Sequence, residues 1–101
     1  MLALSCMETD EQVTIKVDGE LAIETVEEFE AATARWTGSG KQIELDCRCL
    51  AFIDSTGVSG LIKAVVRWQA SGAQVAVNNL SDDLKEMLGI LGFYEAISDQ
   101  G

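Results

Sequence analysis

The chain has 101 residues, 48% of them apolar and 24% charged, which bounds it to one domain around a single modest core. Acids outnumber bases 17 to 7 and leave a net charge of −10, so a nucleic-acid surface, which needs basic side chains, is disfavoured. Histidine is absent, which removes Ser-His-Asp and Cys-His catalysis together with the commonest general base.

The amino-terminal "MLALSCMETDEQ" has no basic flank before its short apolar patch, so no secretory signal is expected. No run approaches the roughly 20 apolar residues of a membrane span. A cytoplasmic location is the expectation. Cys6, Cys47 and Cys49 cannot all pair within one chain, and without histidine or Cys-x-x-Cys spacing a zinc site has no support. Reduced, mostly buried thiols are expected.

In chain order, "LALSCM" is a candidate short strand, with a hairpin around Thr9-Asp10-Glu11. Val13, Ile15 and Val17 alternate with Thr14 and Lys16, which predicts a half-buried strand over 13–19 turned by Asp18-Gly19. Thr25 with Glu28 three residues on reads as a capping box, and Val26, Phe29, Thr33 and Trp36 fall on one helical stripe flanked by Ala32. Gly38-Ser39-Gly40 ends that helix. Ile43, Leu45 and Cys47 alternate with Gln42, Glu44 and Asp46 in another strand, and a short link through Leu50-Ala51 leads to Phe52-Ile53.

Val58, Leu61, Ile62, Val65 and Val66 recur at three and four, so residues 55–70 read as a helix broad enough to pack on a sheet. "AQVAVNN" is a further strand. Ser81 caps a helix whose apolar face is Leu84, Met87, Leu88 and Leu91, ended by Gly92. "FYEAIS" reads as a final edge strand. Trp36, Trp68, Met87, Leu88 and Leu91 are expected in the core, with an exposed part of the last helix open to a partner or a second copy. Alternating strands and helices argue for an α/β fold: a central, mixed and mostly parallel sheet with helices packed on it.

"FIDSTGVSGL", residues 52–61, carries the chemistry. Asp, Ser and Thr all favour the position before a helix, where a side-chain oxygen accepts free backbone N–H groups, so one of Asp54, Ser55 or Thr56 is a cap. One cap suffices, and three candidates stand in a row. A phosphoryl group on Ser55 would sit at the positive end of the helix dipole, with Asp54 opposing it. "GVSGLIK" does not match a phosphate-binding loop. Ser55 and Lys63 lie roughly 12 Å apart along a helix, too far for a nucleophile and its base. Asp54 as an aspartyl-phosphate acceptor would need acidic neighbours such as Asp18 or Asp46 to hold magnesium.

With "VDGELAIETVEEF" some thirty residues upstream, the "IELD" strand, the D-S-T-G helix start and Leu91-Gly92-Phe93 near the end, nearly the whole chain resembles the STAS domain family, in particular the bacterial anti-sigma-factor antagonists. The resemblance implies that Ser55, and less so Thr56, is a regulatory phosphorylation site. It implies a partner surface around Glu20, Asp54, Thr56, Gly57, Val58 and Leu61. It implies as partners an anti-sigma factor that is also a serine kinase and a PP2C-type phosphatase, with no cofactor, no catalysis and a monomer or weak homodimer. Ala22 stands where many members carry an acid, and Ser59 where glycine is common. A like charge about 6 Å from a new phosphate meets roughly 3 kcal/mol of repulsion at an effective dielectric near 20, about a hundredfold in affinity. The competing readings are a STAS subunit of a sensory assembly or of a lipid-transport ATPase, and an enzyme in its own right.

Overall fold

The structure is a computed structural model and describes residues 1–98. Its axis is strand β2 (Gln12–Leu21). Period two acts as expected there: Val13, Ile15 and Val17 are buried, while Thr14 and Lys16 point away from the core. Strand β1 (Leu2–Glu8) lies antiparallel along one edge of β2, joined to it through residues 9–11. Along the other edge run two parallel strands in succession. First comes β3 (Gln42–Asp46), beside residues 12–16, and then β4 (Leu50–Ile53), beside residues 19–21. Strand β5 (Val75–Asn78) extends the sheet parallel to β3.

Four helices follow the strands: α1 (Val26–Thr33), continued by a 3-10 turn at Ala34–Trp36, α2 (Ser55–Ala70), α3 (Asp82–Ile90) and α4 (Phe93–Ser98). Phe29, Trp68, Leu88 and Phe93 from the helices close on Val13, Ile15, Ile43 and Leu45 from the sheet in one apolar cluster. Each such side chain contributes about 1.5–3 kcal/mol by leaving water. The fold is thus the mixed, mostly parallel sheet with packed helices that the sequence implies. Trp36 and Trp68 are both buried, as expected.

Five local expectations are corrected. Asp18-Gly19 is no turn: β2 runs through it to Leu21, with an irregular register at Gly19/Glu20. Gly19 has a φ of 103° there and touches the backbone of Met1, so a bulge rather than a reversal uses the glycine. Leu50-Ala51 belongs to a strand of its own, because β2 is long enough to pair with β3 and β4 in turn. Thr25 does not form a capping box: its hydroxyl donates to the Glu20 carbonyl at 2.8 Å and accepts the Ala22 N–H at 3.0 Å, holding the loop before α1. Residues 93–98 are helical rather than a strand. Phe93 and Ile97 both face the core at i, i+4 spacing, a pattern that a short apolar run does not distinguish from a strand. Ala32, expected beside the core stripe of α1, is exposed.

The three cysteines are free. Cys47 is buried, and burial first, then the Asp46 carboxylate, pushes its thiol from 9.0 up to about 12. Cys49 is half-buried, and Cys6 on β1 is exposed, so only part of the expected thiol burial holds. The unfolded thiol ionises first, so the stability from this group is complete below pH 9.0 and declines as pH rises toward 12. A thiol reagent used below pH 9.0 should label Cys6 in the native protein and Cys47 only after unfolding; equal labelling rates would contradict the burial.

Gly60 is where α2 meets α1: a Cβ there would run into Cγ2 of Val26. Gly60→Ala should cost about 1–3 kcal/mol in urea unfolding. Combined with Val26→Ala it should cost less than the two single changes added together. Simple additivity would mean that the helices do not meet at this point.

Candidate functional site

Asp54 leaves β4 with an extended backbone (φ −108°, ψ −177°) and caps α2. Its Oδ1 accepts the Gly57 N–H at 2.7 Å. Its Oδ2 accepts the N–H of Ile23 at 3.1 Å, from the loop between β2 and α1. Its main-chain N–H donates to the Leu21 carbonyl at 3.3 Å, and its own carbonyl accepts from Val58 N–H at 2.9 Å. One side chain therefore fixes the first turn of α2 and ties it to the end of β2. Gly57 completes the junction. A Cβ there would collide with the Leu21 carbonyl, so α2 reaches the strand only where a side chain is missing.

Of the three candidate caps, then, Asp54 takes the role. Ser55 is the exposed first residue of α2 and Thr56 is half-buried. Neither hydroxyl makes a hydrogen bond to another of the described residues. The first N–H groups of a helix have no intrahelical acceptor. Asp54 serves those of Gly57 and Val58, which leaves those of Ser55 and Thr56 without an acceptor from the cap.

The residues expected at a partner surface divide. Glu20 is exposed, its carboxylate 3.0 Å from the amino group of Met1, and Asp54 and Thr56 are partly accessible. Gly57, Val58 and Leu61 are buried, because Val58 and Leu61, three and six residues past Ser55, lie on the face of the helix turned toward the sheet, and Gly57 abuts the end of β2. Their place is the core and the junction, not the surface. The outward strip of α2 runs instead from Ser55 through Ser59 to Lys63. Ala22 is 3% exposed and presents nothing to a partner, whereas Ile23 beside it is 65% exposed.

Asp46, considered as an acidic neighbour for Asp54, is engaged elsewhere. Its Oδ1 accepts from Asn79 Nδ2 at 3.0 Å and from Arg48 N–H at 3.1 Å, and these bonds hold the carboxyl below its usual range. Among the described residues no group of three or more Cys, Asp or Glu side chains gathers to hold a metal. Nor is any described helix long and apolar enough to cross a membrane.

Beside Ser55, between the end of β4 and α3, lies an open groove of about 480 Å³. Phe52, Met87, Ile90 and Leu91 make its surface apolar. Asp54, Asp83 and Glu86 stand around it, and no basic side chain lines it. Phe52, Ile90 and Leu91 are 46%, 76% and 42% exposed, large apolar groups left in water on one side of the molecule. Leu88 is in the core as expected, but Met87 is only half-buried and Leu91 is exposed. Sequence reasoning missed Phe52 and Ile90. The available signal was Ile90's place off the Leu84–Leu88 stripe, an apolar residue where a core-facing helix needs none.

Residues 5–97 match the family model described as "Mlab, STAS domain", and the chain belongs to the STAS domain family. Among solved structures, the Bacillus cell-fate determinant SpoIIAA in its phosphorylated form is 25% identical, with a TM-score of 0.70 over 94% of this chain and 86% of that one. The unphosphorylated form of the anti-sigma factor antagonist SpoIIAA is likewise 25% identical, with a TM-score of 0.69 over 89% and 83%. The antisigma-factor antagonist STAS domain of Rhodobacter sphaeroides, 21% identical over 77% and 86% with a TM-score of 0.69, shares the fold. No curated protein matches the chain.

Asp54→Ala should cost about 0.5–2 kcal/mol of stability through the lost cap. It should also speed hydrogen exchange at the Ile23 amide, which a purely local cap would leave protected. Gly57→Ala should be the more damaging change, because its obstacle is a main-chain carbonyl that cannot swing aside.

Proposed function

We propose that this chain is a phosphorylation-controlled partner switch that carries out no chemistry of its own. With Ser55 free, it binds an anti-sigma factor that is also a serine kinase, and a sigma factor is released. Phosphorylated on Ser55, it lets that partner go, and a PP2C-type phosphatase resets it. ATP is the kinase's substrate, so this chain needs no cofactor. The observation that carries the reading is the exposed, unengaged hydroxyl of Ser55 at the start of α2, beside an aspartate that already does the capping. The likeness to SpoIIAA, solved both with and without phosphate, supports it.

The chemistry is adequate to the task. Phosphorylation adds about −1.5 to −2 charges and a tightly held hydration shell. Ser55 lies at the edge of the apolar groove, so a partner seated there would have to strip water from a dianion, a cost that exceeds the Coulomb return from imperfect pairing. The fold need not change, because the Ser55 hydroxyl holds nothing together.

A second reading has its own support: the matching family model bears the Mlab description and not that of the antagonists. In that reading the chain is a STAS subunit held permanently in a larger assembly, such as a lipid-transport ATPase, and Ser55 is only a contact.

A native-cell pull-down followed by phosphosite mapping tests the two. A switch gives kinase labelling of wild type and none of Ser55→Ala, and Ser55→Asp loses the partner about a hundredfold with an unchanged urea midpoint. Tight binding by Ser55→Asp, with co-elution of a membrane ATPase at high mass, would instead establish the subunit reading.

A further inference from the structure

We propose that the groove between β4 and α3 seats a basic-edged amphipathic helix of the partner. This rests on reading the chain as a partner-binding STAS domain, and it adds the chemistry of what binds.

Helix α3 is apolar on two faces. Leu84 and Leu88 fill the core, while Met87, Ile90 and Leu91, at i, i+3 and i+4, form a ridge beside them that runs from half-buried Met87 out to exposed Leu91 and Ile90. Phe52, at the end of β4, supplies the opposite bank. A ridge of this spacing accepts the groove of a second helix, and a trough between a ridge and an aromatic bank is filled by an apolar helical stripe.

Charge selects the occupant. Asp54, Asp83 and Glu86 border the trough without a lysine or arginine among its lining residues, on a chain whose net charge is −10. A helix with Lys or Arg along the margins of its apolar stripe meets carboxylates on both banks. A second copy of this chain would bring the same acids against their like, so the charge pattern opposes self-association through this face. Ser55 stands at one end of the trough, and Ile90 and Glu86 stand on α3, so docking and the proposed switch are separable by mutation.

The test uses a fluorescent synthetic Leu/Lys amphipathic helix and its Leu/Glu counterpart as probes, with anisotropy read against the whole chain. The Leu/Lys probe should bind with an affinity that falls as salt rises, and the Leu/Glu probe should not bind. Ile90→Gln, a change at an exposed position that leaves the urea midpoint in place, should weaken binding about tenfold or more. Glu86→Lys should weaken it, and Glu27→Lys, the same charge change on α1 away from the groove, should not. Equal losses from Glu27→Lys and Glu86→Lys, indifference to Ile90→Gln, or equal binding of both probes would overturn the proposal. So would a wild-type dimer in sedimentation that Ile90→Gln dissociates, since the occupant would then be a second copy. Phosphosite mapping keeps the two readings apart. An unphosphorylated Ser55 in native material, with the probe results as expected, removes the switch and leaves the groove. A phosphorylated Ser55 with a probe indifferent to Ile90 removes the groove and leaves the switch.

Discussion

The carboxylate of Asp54 has two oxygens, and each holds a different piece of backbone. Oδ1 takes Gly57 in the first turn of α2, and Oδ2 takes Ile23 in the loop that leads to α1. The bond to Gly57 is a local cap, and the bond to Ile23 ties the helix start to backbone that a local cap alone would not reach. The Leu21 carbonyl presses on Gly57 from the strand side, where no side chain intervenes. Thr25 secures the far side of the same loop through Glu20 and Ala22. The carboxyl ends of β2 and β4 and the amino ends of α1 and α2 therefore meet as one rigid edge, and Ser55 is displayed on it.

A comparison within the molecule shows what that arrangement leaves free. At the start of α3 the cap is a serine, and Ser81 spends its oxygen accepting the Leu84 N–H at 3.2 Å. Before α1, the Thr25 hydroxyl is equally committed, donating to the Glu20 carbonyl, and more weakly to that of Ala22, while it accepts the Ala22 N–H. At the start of α2 the aspartate does the holding and the adjacent hydroxyl is left without structural duty. Three residues that each favour a helix start are redundant as caps. They are not redundant if one must anchor the helix while its neighbour stays available for modification.

Much of this was legible in the residues. The period-two pattern of Val13, Ile15 and Val17 and the three-and-four spacing of Val58, Leu61 and Val65 report burial on one side of an element, and they located the sheet and α2. The D-S-T-G stretch located the junction. What remained hidden depends on three-dimensional neighbours. Gly19 marks a bulge rather than a turn because β1 and β4 flank β2 at that point, and neither partner is written into "VDGE". The Thr25–Glu28 spacing fits a capping box, yet the Thr25 hydroxyl found the Glu20 carbonyl first. Val58 and Leu61 are put at the partner surface by the family resemblance alone, against a spacing that already turns them inward. The groove was the least legible feature. It forms between Phe52 and α3, some thirty residues apart in sequence, and an apolar residue that lines it has the same composition signal as one in the core.

The energies at this edge bear on why a single phosphate would suffice as a control. Within the domain its effects oppose one another: the helix end and the spare N–H groups of Ser55 and Thr56 favour it by about 0.3–1 kcal/mol, and the Asp54 carboxylate next door disfavours it. The fold is left nearly indifferent. For a partner covering the groove the terms do not cancel. Burying Phe52 and Ile90 offers about 1.5–3 kcal/mol apiece. Dehydrating a dianion at the rim costs several kcal/mol, only partly returned by imperfect pairing. A modification that scarcely alters stability can thus offset the apolar contribution to docking, provided that the charged group and the apolar contacts share one small surface, as Ser55, Phe52 and Ile90 do.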